Sequence, residues 1–120
     1  MKAEYKGHRI VDADKLAFDL STWRPSDPTD FSLTIDFYAG EEGKEGSDAF
    51  TATVCSPAWF LRSHTEAAFS GEGVIFMRTF DHLQLEKFLI ARCASAKGNS
   101  WNEIACELSR VGLWEFEYKL

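Results

Sequence analysis

Two runs of strict alternation, set on either side of a glycine-rich stretch, constrain this chain more than any other feature. Phe31, Leu33, Ile35 and Phe37 alternate with Ser32, Thr34, Asp36 and Tyr38. Phe50, Ala52 and Val54 alternate with Thr51, Thr53 and Cys55. A period of two sends successive side chains to opposite faces, so each run reads as a half-buried strand. Residues 40–47 lie between them and hold Gly40, Gly43 and Gly46 among charged residues. That composition reads as the longer loop of a β-hairpin. Pro57 ends the second strand, because proline cannot donate to a sheet ladder. Residues 24–30, with Pro25 and Pro28 among Ser and Asp, form a loop ahead of the first strand.

The helix signals come later in the chain. Asp81 reads as an N-cap, with Gln84 three residues on to close a capping box. Leu85, Phe88, Leu89 and Ala96 then supply an apolar stripe, and Lys97-Gly98 marks its end. Ser100 and Glu103 open a second helix, on which Trp101, Ile104, Ala105 and Leu108 recur at helical spacing. Arg110 and Gly112 close it. Residues 58–68 read as a short helix or an irregular crossover. Residues 74–80 are almost continuously apolar, which predicts a central strand covered on both faces. Trp114, Phe116 and Tyr118, alternating with Glu115, Glu117 and Lys119, predict a last half-buried strand. Residues 9–11 and 16–20 are weaker strand candidates. Strands, then two helices, then a closing strand predict one α+β domain over residues 1–120. Its sheet is expected to be antiparallel or mixed, with the two main helices packed on one face.

Composition narrows the function classes. The 120 residues include ten Phe, four Trp and three Tyr, which argues for a packed core and against disorder. Residues 1–12 carry charges throughout and resemble no signal peptide, and no run approaches the length of a membrane span. Three cysteines without close spacing do not make a disulfide framework, so a reducing cytoplasm is the expected compartment. The formal net charge is −6, and all of it sits in residues 26–48. There Asp27, Asp30, Asp36, Glu41, Glu42, Glu45 and Asp48 face only Lys44, while the rest of the chain holds twelve acids and twelve bases. So local an acidic excess disfavours nucleic acid or an anionic membrane as partner. It suits a basic protein surface, whose approach it would accelerate.

Catalytic and metal-binding patterns are weak. His8, His64 and His82 are far apart and show no zincin-like spacing. His82 and Glu86 share a helix face as a solvated pair. Cys55 with His64 as its base would make a nucleophile, but Cys55 ends an apolar strand and reads as structural. Cys93 and Cys106 fall within helices, and no C-x-x-C pair suggests zinc. The Gly40, Gly43, Gly46 repeat is no phosphate loop, because Glu41, Glu42 and Glu45 would repel phosphate. Those carboxylates do not match the spacing of an EF-hand loop either. No cofactor and no metal is expected. Trp101 and Trp114 read as core, as do Trp23 and Trp59, though the last two could serve as exposed anchors.

One resemblance can be named on these residues. The hairpin at residues 37–50 leads into the element Val54-Cys55-Ser56-Pro57-Ala58-Trp59. Later come Phe80-Asp81 before a helix, Trp101 opening another, and Trp114-Glu115-Phe116-Glu117-Tyr118 at the end. This arrangement resembles the immunity protein 8 family of bacterial polymorphic toxin systems. The resemblance implies a non-enzymatic cytoplasmic protein that binds and neutralises a cognate toxin. It transfers no binding residues. The charge map instead points to Glu41, Glu42, Glu45 and Asp48 of the loop, with Asp36 and Tyr38 on the adjoining strand, as the toxin-binding surface. A basic nuclease domain would suit that surface as a partner, whose active site it would occlude. A small acidic chaperone for a secreted effector is the alternative, and monomer and homodimer both remain open.

Overall fold

The computed structural model describes residues 1–116. It is an α+β fold built on one open sheet. The expected hairpin forms from β2 (Ser32–Glu41) and β3 (Asp48–Cys55), paired antiparallel without a break from Ser32↔Cys55 to Ala39↔Asp48. Its alternation is realised as read. Leu33, Ile35, Phe37 and Ala39 of β2, with Phe50, Ala52 and Val54 of β3, turn to one face and are buried. Phe37 and Phe50 are cross-strand partners whose rings stack with centroids 5.2 Å apart. Such a pair adds aromatic contact to the area that it removes from water.

Strand β1 (Ala3–Ile10) runs antiparallel along the outer side of β2. The strand expected at residues 9–11 overlaps only its last two residues, because Glu4, Lys6 and Gly7 obscure the pattern before them. The register shifts between Tyr5 and His8, where Gly7 takes φ 115°. That is a β-bulge, and its left-handed backbone suits glycine. Residues 16–20 form no strand. They follow a 3₁₀ turn at Ala13–Lys15 and continue through turns, with Leu20 alone of the five buried.

Ser56 caps α1 (Pro57–Ser63) by accepting from Trp59 N, and it also accepts from Phe31 N, which ties the helix start to the foot of β2. Proline at the first helical position costs no hydrogen bond. The apolar run at 74–80 departs from expectation. Only β4 (Val74–Phe76) is strand, it lies parallel to β3 at the sheet's edge, and Phe76 is 50% exposed. An edge strand has neighbours on one side only, so the run is apolar without being central. Phe80 leaves the sheet to pack edge-on against Trp23 and Phe31, with ring centroids at 4.9 and 5.4 Å.

Helices α2 (His82–Ser95) and α3 (Trp101–Leu108) supply the other half of the core. Asp81 accepts from Leu83 N and Gln84 N, and Ser100 accepts from Glu103 N. The buried stripe of α2 is Leu85, Leu89, Cys93 and then Ala96. Phe88, expected in it, is 40% exposed, because the buried stripe advances in steps of four through Leu85, Leu89 and Cys93 and leaves Phe88 at its rim. The last strand is shorter than the alternation suggests. Strand β5 is Leu113–Trp114, antiparallel to β3 beside Phe50 and Thr51, and Phe116 lies beyond it in a turn. Glu117 and Tyr118 lie outside the described residues. Among the described residues no helix is long and apolar enough to cross a membrane.

Candidate functional site

The acidic hairpin is held in shape by its own backbone. Gly43 and Gly46 adopt φ 79° and 90°. A Cβ on Gly40 would stand 2.3 Å from the carbonyl oxygen of Gly46, so the two strands' ends close on each other only with glycine there. Lys44 N donates to the Glu41 carbonyl, Glu42 N donates to the Lys2 carbonyl, and Lys6 Nζ donates to the Lys44 carbonyl. The turn is therefore tied to β1 as well as to its own two strands.

The five carboxylates and one phenol singled out from the sequence do not form one surface. Asp36 and Tyr38 project from the sheet face opposite the helices. The Asp36 carboxylate accepts from the Thr51 hydroxyl at 2.6 Å and lies 3.9 Å from Arg9. Tyr38 is half-buried beside Ala49. Asp48 pairs with Ala39 in register and so faces the helices. Its Oδ2 accepts from the indole N–H of Trp101 at 2.7 Å and from that of Trp114 at 2.9 Å. One carboxylate thus joins the start of β3 to α3 and β5. Trp101 accordingly sits half-buried at the rim, while Trp114 is buried as expected. Glu41, Glu45 and Asp48 share a shallow hollow of about 240 Å³ with Trp101.

The charges differ in how far they are already answered. Glu41 pairs with Lys44 at 3.2 Å. Glu42 and Glu45 are exposed, and among the described residues neither has a Lys or Arg partner. These two are the hairpin's unspent charges. Only tertiary proximity separates them from Asp48, since the indoles that Asp48 holds lie 53 and 66 residues further along the chain.

The enzyme-like combinations fare differently. Cys55 is fully buried, and burial pushes its thiol pKa up, which disfavours the thiolate. His64 packs against Phe60 and Phe69 with centroids at 4.5 and 4.6 Å and lies 3.6 Å from Glu66. The pair expected of Glu86 with His82 is replaced by a contact across the fold, since Glu86 Oε2 lies 3.6 Å from His8 Nδ1. That neighbourhood gave no sequence signal, because His8 lies on β1 and Glu86 on α2. Among the described residues no three His, Cys, Asp or Glu side chains converge as a metal site would.

A family model described as Immunity protein 8 matches residues 8–118. No curated protein and no solved structure matches the chain.

Proposed function

The chain belongs to the immunity protein 8 family, and from that premise we propose that it binds and neutralises a cognate toxin protein through its acidic hairpin. The carrying observation is the pair Glu42 and Glu45, which stand exposed at the hairpin turn and have no Lys or Arg partner among the described residues. Unanswered charge at a protruding turn projects a field that attracts a basic surface and orients its approach. A toxin domain with a basic active-site cleft, such as a nuclease, is the partner this field suits. The hairpin would lie across the cleft and deny it to substrate. Glu41 and the Asp36–Tyr38 face flank that contact, and Asp48 holds the root of the turn. Binding of this kind needs no cofactor and no catalysis by this chain. Its free thiols, Cys55, Cys93 and Cys106, suit the cytoplasm, where they stay reduced.

A pull-down of the tagged protein from its native host, with partners identified by mass, tests this reading. The expected result is one stoichiometric partner that is toxic when expressed alone and harmless with this chain. Capture of several partly unfolded effectors would favour a chaperone instead. If a single toxin is bound but a Glu42→Lys, Glu45→Lys variant associates at the wild-type rate and salt dependence, the hairpin is not the docking surface.

A further inference from the structure

Strand β4 ends the sheet, and its outer side meets no other strand among the described residues. Thr53 N donates to the Gly73 carbonyl and Met77 N to the Cys55 carbonyl, each at 2.9 Å, and the register pairs Val54 with Ile75. The N–H and C=O of Ile75 therefore point at β3, and those of Val74 and Phe76 point away from it. The Val74 N–H is taken by the Gly71 carbonyl at 3.2 Å. The Phe76 N–H and the carbonyls of Val74 and Phe76 remain as an outward row. Such a row is chemically specific, because it matches the edge of another strand.

The side chains along this edge complement themselves. Ile75 turns into the core, and Phe76 turns to the other face. There the Phe76 ring packs edge-on against Phe60 at 5.2 Å, and Phe60 packs edge-on against Phe69 at 4.8 Å. The buried core holds none of these three rings. Phe69 is 45% exposed, and Leu61 on α1 is 76% exposed. Glu72 stands just before the strand and Arg78 just after it. Both are exposed, and among the described residues neither has an oppositely charged partner. Along the edge the order is thus acid, Val74, Phe76, base. Laid antiparallel on itself, that order sets acid against base at both ends and Val74 against Phe76 between them. A two-fold interface demands such a match of a patch with itself, whereas a foreign strand is under no such constraint. Three residues of ladder are a weak joint alone, and the exposed rings add apolar area to it.

We propose that β4 pairs with the β4 of a second copy of this chain, antiparallel and centred on Ile75, so that the two sheets run on as one. The Phe76 N–H of each copy donates to the Val74 carbonyl of the other, and Glu72 of each copy faces Arg78 of the other. Strand β4 lies beside residues 53–55, the end of β3 away from the hairpin turn, so the pairing leaves both acidic turns uncovered. The inference does not depend on the toxin reading.

Sedimentation equilibrium of the full chain, together with hydrogen exchange at the Phe76 amide, tests it. The expected result is a reversible dimer in which that amide exchanges more slowly as concentration rises. Arg78→Glu should weaken the dimer at least ~10-fold, because the dyad then opposes two pairs of acids. Adding Glu72→Arg should restore it to within about threefold, since the swapped charges again complement themselves. Phe76→Pro, its fold checked by the amide spectrum, removes the outward donor without touching the β3 ladder and should abolish pairing. A chain that stays monomeric to millimolar concentration overturns the inference. So does a dimer indifferent to Arg78→Glu and Phe76→Pro, or one weakened by Arg78→Glu that the added Glu72→Arg does not rescue. Protection of the Phe76 amide that appears only with an added toxin would assign the edge to that toxin and overturn it too.

Discussion

The hairpin turn and the cavity beside β1 both present carboxylates that have no Lys or Arg partner among the described residues, yet they hold them in opposite ways. Glu42 and Glu45 stand exposed at the hairpin turn, Glu45 at the edge of a shallow hollow. Asp19 and Glu86 line a recess whose other walls include Phe18, Leu20 and Leu83. The same group, exposed at the turn, acts at a distance and through diffusion. Beside β1 it is engaged within the chain, since Asp19 accepts from Ser21 N and Oγ and Glu86 lies 3.6 Å from His8 Nδ1. The structural supports differ too. The turn is braced by backbone geometry and by Asp48. Behind β1 stand Tyr5 and Cys93, whose burial favours their uncharged forms.

Asp48 offers the largest effect by which to break this comparison. If every hairpin carboxylate serves recognition, Asp48→Ala should alter binding and spare stability. The clamp on two indoles predicts the reverse. Leaving Trp101 and Trp114 N–H groups without their acceptor should destabilise the fold by about 2–3 kcal/mol, read from urea unfolding followed by tryptophan fluorescence. Asp48→Asn, which keeps one acceptor oxygen, should lose less.

Alkaline pH should loosen the cavity end first. Burial holds the Cys93 thiol's pKa up at about 11 against an ordinary 9.0. Tyr5 is raised as well, chiefly by burial and then by the charge of Glu86. A folded pKa above the unfolded one means that the stabilisation is complete below the unfolded value and is lost as pH rises through the folded one. For Cys93 that window runs from about pH 9 to about pH 11 and is worth on the order of 2 kcal/mol. Hydrogen exchange should show β1 and α2 opening in that window before the hairpin does. In Cys93→Ala, stability should fall less steeply across it. Equal loosening of both ends would show that the two regions do not rest on different supports.

A smaller effect concerns binding at the turn. Glu42→Lys with Glu45→Lys should slow association with a captured toxin by about tenfold at low salt and by much less at high salt. Because both side chains are exposed and have no basic partner among the described residues, folding stability should stay within about 0.5 kcal/mol of wild type. The finest test combines the two regions. The hairpin variant and an Asp19→Asn, Glu86→Gln variant share no partner, so their effects on folding stability should add to within about 0.5 kcal/mol. A larger coupling would mean that turn and cavity do not rest on separate supports.

Much of the fold was legible because it rests on local chemistry. Period-two alternation announced β2 and β3, and the caps at Asp81 and Ser100 announced α2 and α3. These signals need only nearest neighbours on the chain. The strand β1 was harder to read, because its charged residues belong to an edge whose outer side meets solvent. The run at 74–80 misled for the complementary reason, since apolar character does not tell a central strand from an edge strand whose Phe76 stays half in solvent.

Signals local to the chain sufficed to place the charge, the hairpin around its glycine turn and the family resemblance. Tertiary structure alone decided what each carboxylate does. Asp48 and Glu45 are three residues apart and chemically alike, but only Asp48 faces the helices, where two indoles from distant segments claim it. Glu86 shares a helix face with His82 as expected, but the imidazole that it meets is His8 of β1. The physical reason is range. Alternation, caps and turns are fixed over a few bonds, whereas the partners of a charge are chosen by which elements the closing core brings together.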